Sequence, residues 1–326
     1  MANQPSLTKQ HMKPTNLPVL LITFNRPDVT SVVLDRILEM NPPKIYFFND
    51  APRPGNSRDE EKCREIRQMA SELQGRYSGE VLTRFEPSNL GCKMGESTAM
   101  SWLFEHEEKG IVLEDDILPS PEFFYFCEEM LARYADDNRI FSVTGCNLLN
   151  QWHADEKDYF FSLFGSFWGW AGWRRAWKHY DVKMEAWQDA EVRRLVQNYL
   201  PFPEYKELRR KEFEALMTGK ANTWDFQFCL AHYINHAMAI VPSKNMVINI
   251  GIQHADAVHM VSDSPFSDLR HQQVSFPLRS NTIMIPDYEY ELGVVQKAYP
   301  FLFDVPQSPP APVPPGIIQR IKNKIR

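Results

Sequence analysis

Three consecutive carboxylates, Glu114-Asp115-Asp116, close the apolar run Ile111-Val112-Leu113. Adjacent carboxylates repel, and each raises the pKa of its neighbours. A divalent cation relieves that conflict, and hard oxygen donors suit magnesium or manganese. The same triplet also makes an ordinary solvated turn with Asp116 near a helix start, so spacing alone leaves both readings open. Context adds weight, because ligands of open parallel sheets bind beyond the carboxyl ends of the strands. Other strand-like runs end in polar groups too: Thr23, Asn25 and Arg26 lie at the end of residues 18–24, Asp50 follows 44–48, and Asn89 and Gly91 follow 80–85. Arg26 carries the charge to neutralise a phosphate, and Asp50 can accept hydrogen bonds from a nucleobase or ribose. Singly, each is an ordinary turn residue. Their recurrence at one expected sheet edge is the signal.

The elements that must position these groups alternate in type. Residues 18–24, 44–48, 80–85, 110–113 and 140–144 read as short buried strands. Between them come helical patterns: one capped by Asp28 with Val29, Val32, Val33 and Ile37 apolar, one over 59–73, one through Trp102 and Phe104, and one from Pro121 to about Tyr134. Strand–helix repetition predicts an α/β fold with a mostly parallel sheet covered by helices. From about residue 147 the pattern loosens into an aromatic, glycine-containing stretch over 160–177. Charged helices over 188–217, a helix over 223–239 and a short strand over 247–250 follow. The expected organisation is a tail over 1–16, a first half over 17–146, a second half over 147–303 packed on the same sheet, and a Pro-rich spacer with a basic amphipathic end over 304–326.

The 326 residues are 43% hydrophobic and 24% charged, an ordinary globular balance. A formal net charge of −6 argues against a nucleic-acid binder. No apolar run is long enough to span a bilayer, and the first sixteen residues lack the apolar centre of a secretory signal. Five scattered cysteines without a CxxC pair suit a reducing compartment. The expectation is a cytoplasmic protein of unknown oligomeric state. In the terminal segment Ile317, Ile318, Ile321 and Ile325 share a helical face among Arg320, Lys322, Lys324 and Arg326, a pattern for peripheral contact with anionic membrane or for a solubilising end.

Several segments, in order, resemble one family. LLITFNRP, FFND, NLGC, GIVLEDD and FFYFCEEML resemble the nucleotide-sugar-binding half of glycosyltransferases of the A fold. They are most similar to the bacterial group whose acidic motif is EDD, distantly similar to N-acetylglucosaminyltransferase I. SFWGWAGWRRAW resembles that group's WGWATW segment, TWDFQF its TWxYQW segment, and NMVINIGIQHADAVHM its NIGFG…THT segment. In the last of these, Gln253-His254-Ala255 replaces the group's small acidic turn.

The resemblance implies a metal-dependent, inverting transfer of a sugar from a nucleoside-diphosphate sugar, UDP-linked by expectation, to a hydroxyl of a glycan or lipid-linked acceptor in surface polysaccharide or glycoconjugate synthesis. It implies that Asp116 holds the manganese or magnesium, with His259 or the nearby His254 completing the shell. Asp115 would lie beside the ribose or donor sugar, with Glu114 supporting the turn. Asp225 falls where such enzymes present the base that deprotonates the acceptor, although an acid in a first helical turn is favoured without catalysis. Trp168, Trp170 and Trp173, interleaved with Gly165, Gly169 and Gly172, form either an acceptor platform or a buried aromatic lid. Two other classes remain: a sugar-nucleotide-forming nucleotidyltransferase, which normally has a Gly-rich phosphate loop where residues 23–27 have no glycine, and a non-catalytic carbohydrate-binding protein.

Overall fold

The computed structural model of the protein describes residues 13–163, 165–252 and 264–303. The first half alternates as its apolar runs dictate: β1 (Val19–Thr23), α1 (Pro27–Glu39), β2 (Lys44–Asn49), α2 (Ser57–Arg76), β3 (Glu80–Phe85), α3 (Gly91–His106), β4 (Lys109–Glu114), β5 (Ile117–Pro119), α4 (Pro121–Arg133) and β6 (Ile140–Thr144). The second half adds β7 (Tyr159–Ser162), β8 (Trp170–Trp173), the short α5 (Arg174–Trp177), α6 (Ala190–Tyr199), α7 (Pro203–Met217), α8 (Asp225–Ile234), β9 (Met238–Pro242), β10 (Val247–Asn249) and α9 (Tyr288–Ala298). One eight-stranded sheet runs β3-β2-β1-β4-β8-β6-β9-β7, and β5 pairs with β10 in a separate ribbon. Neighbours β3, β2, β1 and β4 are parallel, β8 is antiparallel to both β4 and β6, β9 is parallel to β6, and β7 is antiparallel to β9. The fold is α/β with a mostly parallel sheet. Strands β7, β8 and β9, all from beyond residue 147, belong to that same sheet.

The sheet is covered on both faces, so inner strands such as β1 and β9 are buried throughout, whereas the edge strand β3 is only half-buried. Alternate residues of β1 divide between two cores: Val19 and Leu21 pack with α1, α2 and α4, while Leu20 and Ile22 pack with α3, α5 and α8. On the second face Trp170, Trp177, Trp224 and Phe228 form one aromatic cluster, with Trp170 and Trp224 stacked at 5.9 Å. This packing seats the start of α8 against the sheet, where Asp225 must be held.

Three local expectations are corrected. Helix α1 begins at Pro27 with Arg26 at its cap, so Asp28 lies in the first turn instead of capping it. Proline has the helical φ already set and no N–H to leave unpaired, so it takes the first position. Val32 points outward, and Leu34 takes the buried place. The helix expected over 223–239 is α8 followed by β9, broken at His236, which adopts a left-handed φ of 50°. Among the described residues no helix is long and apolar enough to cross a membrane, and all five cysteines are free. The expected spacer and basic end over 304–326, and most of the tail over 1–16, lie outside the described residues.

Candidate active site

Beyond the carboxyl ends of β1, β2 and β4 lies a cavity of about 530 Å³, and it gathers most of the residues singled out above. Thr23, Asn25, Arg26, Asp50, Asn89, Gly91, Glu114, Asp115, Asp116, Trp168 and Asp225 all line it. They come from separate parts of the chain, and the parallel pairing of β1 with β2 and β4 aligns the strand ends that carry them.

Several of these side chains build the rim and have little left to give a ligand. The Thr23 hydroxyl donates to the Phe48 carbonyl at 2.7 Å and accepts from Asn49 at 3.1 Å. Asn25 is buried and donates to Asp59 at 2.8 Å, a carboxylate that also takes the Arg53 guanidinium. Asp50 accepts from the backbone N–H groups of Ala51, Leu90 and Gly91 at 2.8, 2.9 and 3.0 Å, and from Asn89 Nδ2 at 3.0 Å. Burial pushes its pKa up against those bonds. Asp50 therefore shapes the entry to α3. Gly91 completes that turn with a φ of +71°, a conformation that favours glycine.

The charged centre is different. Arg26 bridges the two aspartates after β4, pairing with Asp115 and, at 2.9 Å, with Asp116 Oδ2. Burial alone would lower the Arg26 pKa, but the two carboxylates outweigh it and raise the pKa. Asp115 also accepts from the Phe24 N–H at 3.4 Å. The other oxygen of Asp116, Oδ1, is buried with no hydrogen-bond partner. A buried acceptor without a partner costs about 1–3 kcal/mol, so this oxygen points to a ligand. Gly251 closes over the pair: a Cβ there would sit 2.6 Å from both Arg26 Nη1 and Asp116 Oδ2.

Carboxylates exceed cations around this centre. Burial raises Glu114 well above the usual range, and Glu96, Asp116 and Asp115 push it further. Burial lifts Asp115 to about 6 even with Arg26 opposing the rise. Burial lifts Glu96 to about 8, with Asp225, Asp116 and Asp115 adding to it. Asp225 is raised by burial, and the Thr223 hydroxyl, which donates to it, opposes the shift. Such crowding of like charge in a cleft marks candidate functional groups. No group of three or more His, Cys, Asp or Glu side chains among the described residues is disposed to hold a metal ion. A cation here would have to be held by one or two carboxylates, Asp116 among them, with other ligands completing its shell. His254 and His259 lie outside the described residues.

Of the three tryptophans, only Trp168 lines the cavity. Trp170 and Trp173 lie on β8, 1% and 5% exposed, and pack into opposite cores. The acceptor-platform reading is corrected for those two: β8 runs between β4 and β6, so both sheet faces bury its side chains. Sequence reasoning missed Cys92 and Glu96, which line the cavity from the first turns of α3, with the Cys92 thiol 3.2 Å from Glu96. Their i,i+4 spacing from a helix starting at the sheet edge was the available signal. Asn222, Thr223 and Gly251 also line it from loops with no periodicity to read, and Asn249 lines it from the end of β10. No protein-family model and no curated protein matches this chain.

Proposed function

We propose that the chain is a metal-dependent, inverting glycosyltransferase that moves a sugar from a UDP-type nucleoside-diphosphate sugar to a hydroxyl of a glycan or lipid-linked acceptor. One observation carries the reading: a single cavity at the strand ends holds the Arg26–Asp115–Asp116 cluster, with its orphaned Asp116 oxygen, together with Asp225. A manganese or magnesium ion held by Asp116 would supply Lewis-acid stabilisation of the charge that builds on the departing diphosphate. Arg26 sits beside that carboxylate and offers a second positive charge to the same oxygens. Asp115, held by Arg26 and the Phe24 N–H, borders the donor's ribose or sugar, while Asp50, Asn89 and Gly91 fix the loop that walls it.

Asp225 serves as the base. It sits in the first turn of α8, and the Trp224 packed behind it holds that turn against the sheet. A raised pKa strengthens a carboxylate as a proton acceptor once it is ionised. The acceptor oxygen bonds to the anomeric carbon, the bond to diphosphate breaks, and the acceptor's proton passes to Asp225. This reading places the protein in the cytoplasm, where activated sugars would reach it, in surface polysaccharide or glycoconjugate synthesis. Purified protein should hydrolyse or transfer from a UDP-sugar in a panel only when manganese or magnesium is added. Metal-independent turnover, or no stabilisation by UDP with manganese, refutes the proposal.

A further inference from the structure

Glu96 lines the strand-end cavity, and the transfer reaction gives it no task. Its place follows from the packing of α3. Ala99, Met100 and Leu103 bury one face of that helix in the same core as Ile22 of β1 and Val112 of β4. The helix therefore lies on one side of the sheet with its start at the strand ends. Gly91 opens α3 beside the loop that leads into α8: a Cβ on it would sit 3.3 Å from Asn222 Nδ2. Cys92 and Glu96 follow at helical spacing and both line the cavity. The Cys92 thiol donates to Glu96 Oε1 at 3.2 Å, and among the described residues nothing donates to Oε2.

Glu114 lies on the same side of the sheet. Side chains alternate along a strand. Val112 packs into the core shared with α3, Leu113 into the other, and Glu114 pairs opposite Ile22 of the α3-side core. Asp225 opens α8 next to Trp224, which belongs to that core as well. Glu96, Glu114 and Asp225 thus line the α3 side of one cavity. No cation answers them there. Among the described lining residues the cations are Arg26 and Arg53. Arg26 is engaged by Asp115 and Asp116, and Arg53 pairs with Asp59 at 2.9 Å. A surplus of acid alone would make no site, but the same cavity holds Asp116 Oδ1, a buried acceptor without a partner that calls for a ligand.

We infer that Glu96 holds the sugar being transferred by accepting from its hydroxyls, and that this sugar carries no acidic group. The inference rests on the glycosyltransferase reading. In a direct displacement the anomeric carbon lies between the departing diphosphate and the attacking hydroxyl. The sugar then occupies the space between the Asp116 end of the cavity and Asp225, and Glu96 borders that space. Carboxylate oxygens accept hydrogen bonds, and a sugar ring offers a hydroxyl donor on most of its carbons. A uronic acid in the same place would add a negative charge beside Glu96, Glu114 and Asp225 with no cation to pair it, and like charges brought together at a binding site are strongly disfavoured. Glu96 is thus a specificity-determining residue for the donor.

The test titrates the full chain, in manganese, with UDP and with a panel of UDP-sugars in which UDP-glucuronic acid stands for the acidic ones. Wild type should bind one uncharged UDP-sugar best, and UDP-glucuronic acid at least about ten-fold more weakly than that one. Glu96→Ala should weaken the preferred UDP-sugar about ten-fold, the worth of a hydrogen bond to a charged group, while UDP itself binds as before. Glu96→Gln keeps the shape of the side chain and relieves repulsion, so it tests the charge should the alanine variant fold poorly. It should narrow the discrimination against UDP-glucuronic acid, a change that altered packing alone would not produce. Wild type preferring UDP-glucuronic acid or binding all the UDP-sugars alike, or variants matching wild type across the panel, overturns the Glu96 assignment alone. Absence of UDP binding by wild type overturns the underlying reading, and the assignment with it.

Discussion

His232 should make the fold sensitive to mild acid, by an amount the structure fixes. It lies on α8, two turns beyond Asp225, fully buried among Phe141, Phe167 and Phe228. Nδ1 lies 2.8 Å from the Phe228 carbonyl and Nε2 lies 3.1 Å from the Ser142 hydroxyl. A carbonyl only accepts, so Nδ1 carries the proton and Nε2 accepts from Ser142. Burial of this neutral ring lowers its pKa from 6.5 to about 4. The folded value is depressed, so the contribution to stability is complete above 6.5, where the unfolded chain is neutral too. It is lost as pH falls from 6.5 toward 4, because the unfolded state takes up a proton that the folded state refuses. That loss reaches about 3 kcal/mol at pH 4, and about 2 kcal/mol is already gone between pH 7 and pH 5.

Urea unfolding of wild type and His232→Leu at those two pH values isolates the effect. Every other titrating group is common to both proteins, and the packing penalty of leucine is the same at each pH. The variant should be the less stable at pH 7, and the gap should narrow by about 2 kcal/mol at pH 5. A gap that stays constant refutes the buried neutral imidazole. Activity should follow the same course, since the helix unseated by protonation is the one that begins with Asp225.

Four further outcomes are expected. Asp116→Ala should abolish manganese-dependent stabilisation by UDP without unfolding the protein, because the lost carboxylate sits at the sheet's edge and its removal relieves repulsion; unchanged UDP affinity in a binding titration counts against the metal assignment. Asp225→Asn should keep UDP binding but lower transfer by about 10²–10⁴-fold, and near-normal turnover would reduce Asp225 to a helix-start acid. Gly251→Ala should cost about 1–3 kcal/mol in a denaturant melt and weaken UDP binding, since its Cβ collides with both Arg26 and Asp116; a melt like wild type's would show that the pair yields freely. Deleting residues 316–326 should lower co-sedimentation with anionic vesicles while leaving transfer to soluble acceptors intact, and equal sedimentation would reject a membrane contact there.

What could be read from the sequence depended on whether local pattern or distant packing decided the outcome. Residues 18–24 and 140–144 are apolar enough to be strands in any context, and the polar residues that end such strands are carried to the sheet edge by topology alone. Nine of the eleven residues brought to one cavity follow from that rule, not from any contact visible in sequence, whereas Trp168 and Asp225 come from segments that follow no strand end. The failures have the opposite origin. WAGW reads as an acceptor platform or a buried aromatic lid until antiparallel pairing with β4 and β6 makes it a central strand, and central strands bury both faces. AHYINHAMAIVP interrupts its apolar residues only at His232, Asn235 and His236, so no glycine or proline at the break announces that His236 reverses φ and hands the chain to β9.

Charge was legible only in kind. Glu114-Asp115-Asp116 announced a conflict, but which oxygen would be left without a partner depends on where the Arg26 guanidinium settles. The structure gives it Asp115 and one oxygen of Asp116, and leaves Asp116 Oδ1 over. Glu96 sharpens the point: in sequence it is one more acid on an ordinary helix. It becomes a strongly perturbed carboxyl because α3 starts at the sheet edge and buries that face, with the neighbouring acids adding to the shift. The chemistry of this cavity is therefore a property of strand order, since parting β1 from β4 would separate Arg26 from its aspartates while leaving every local motif intact.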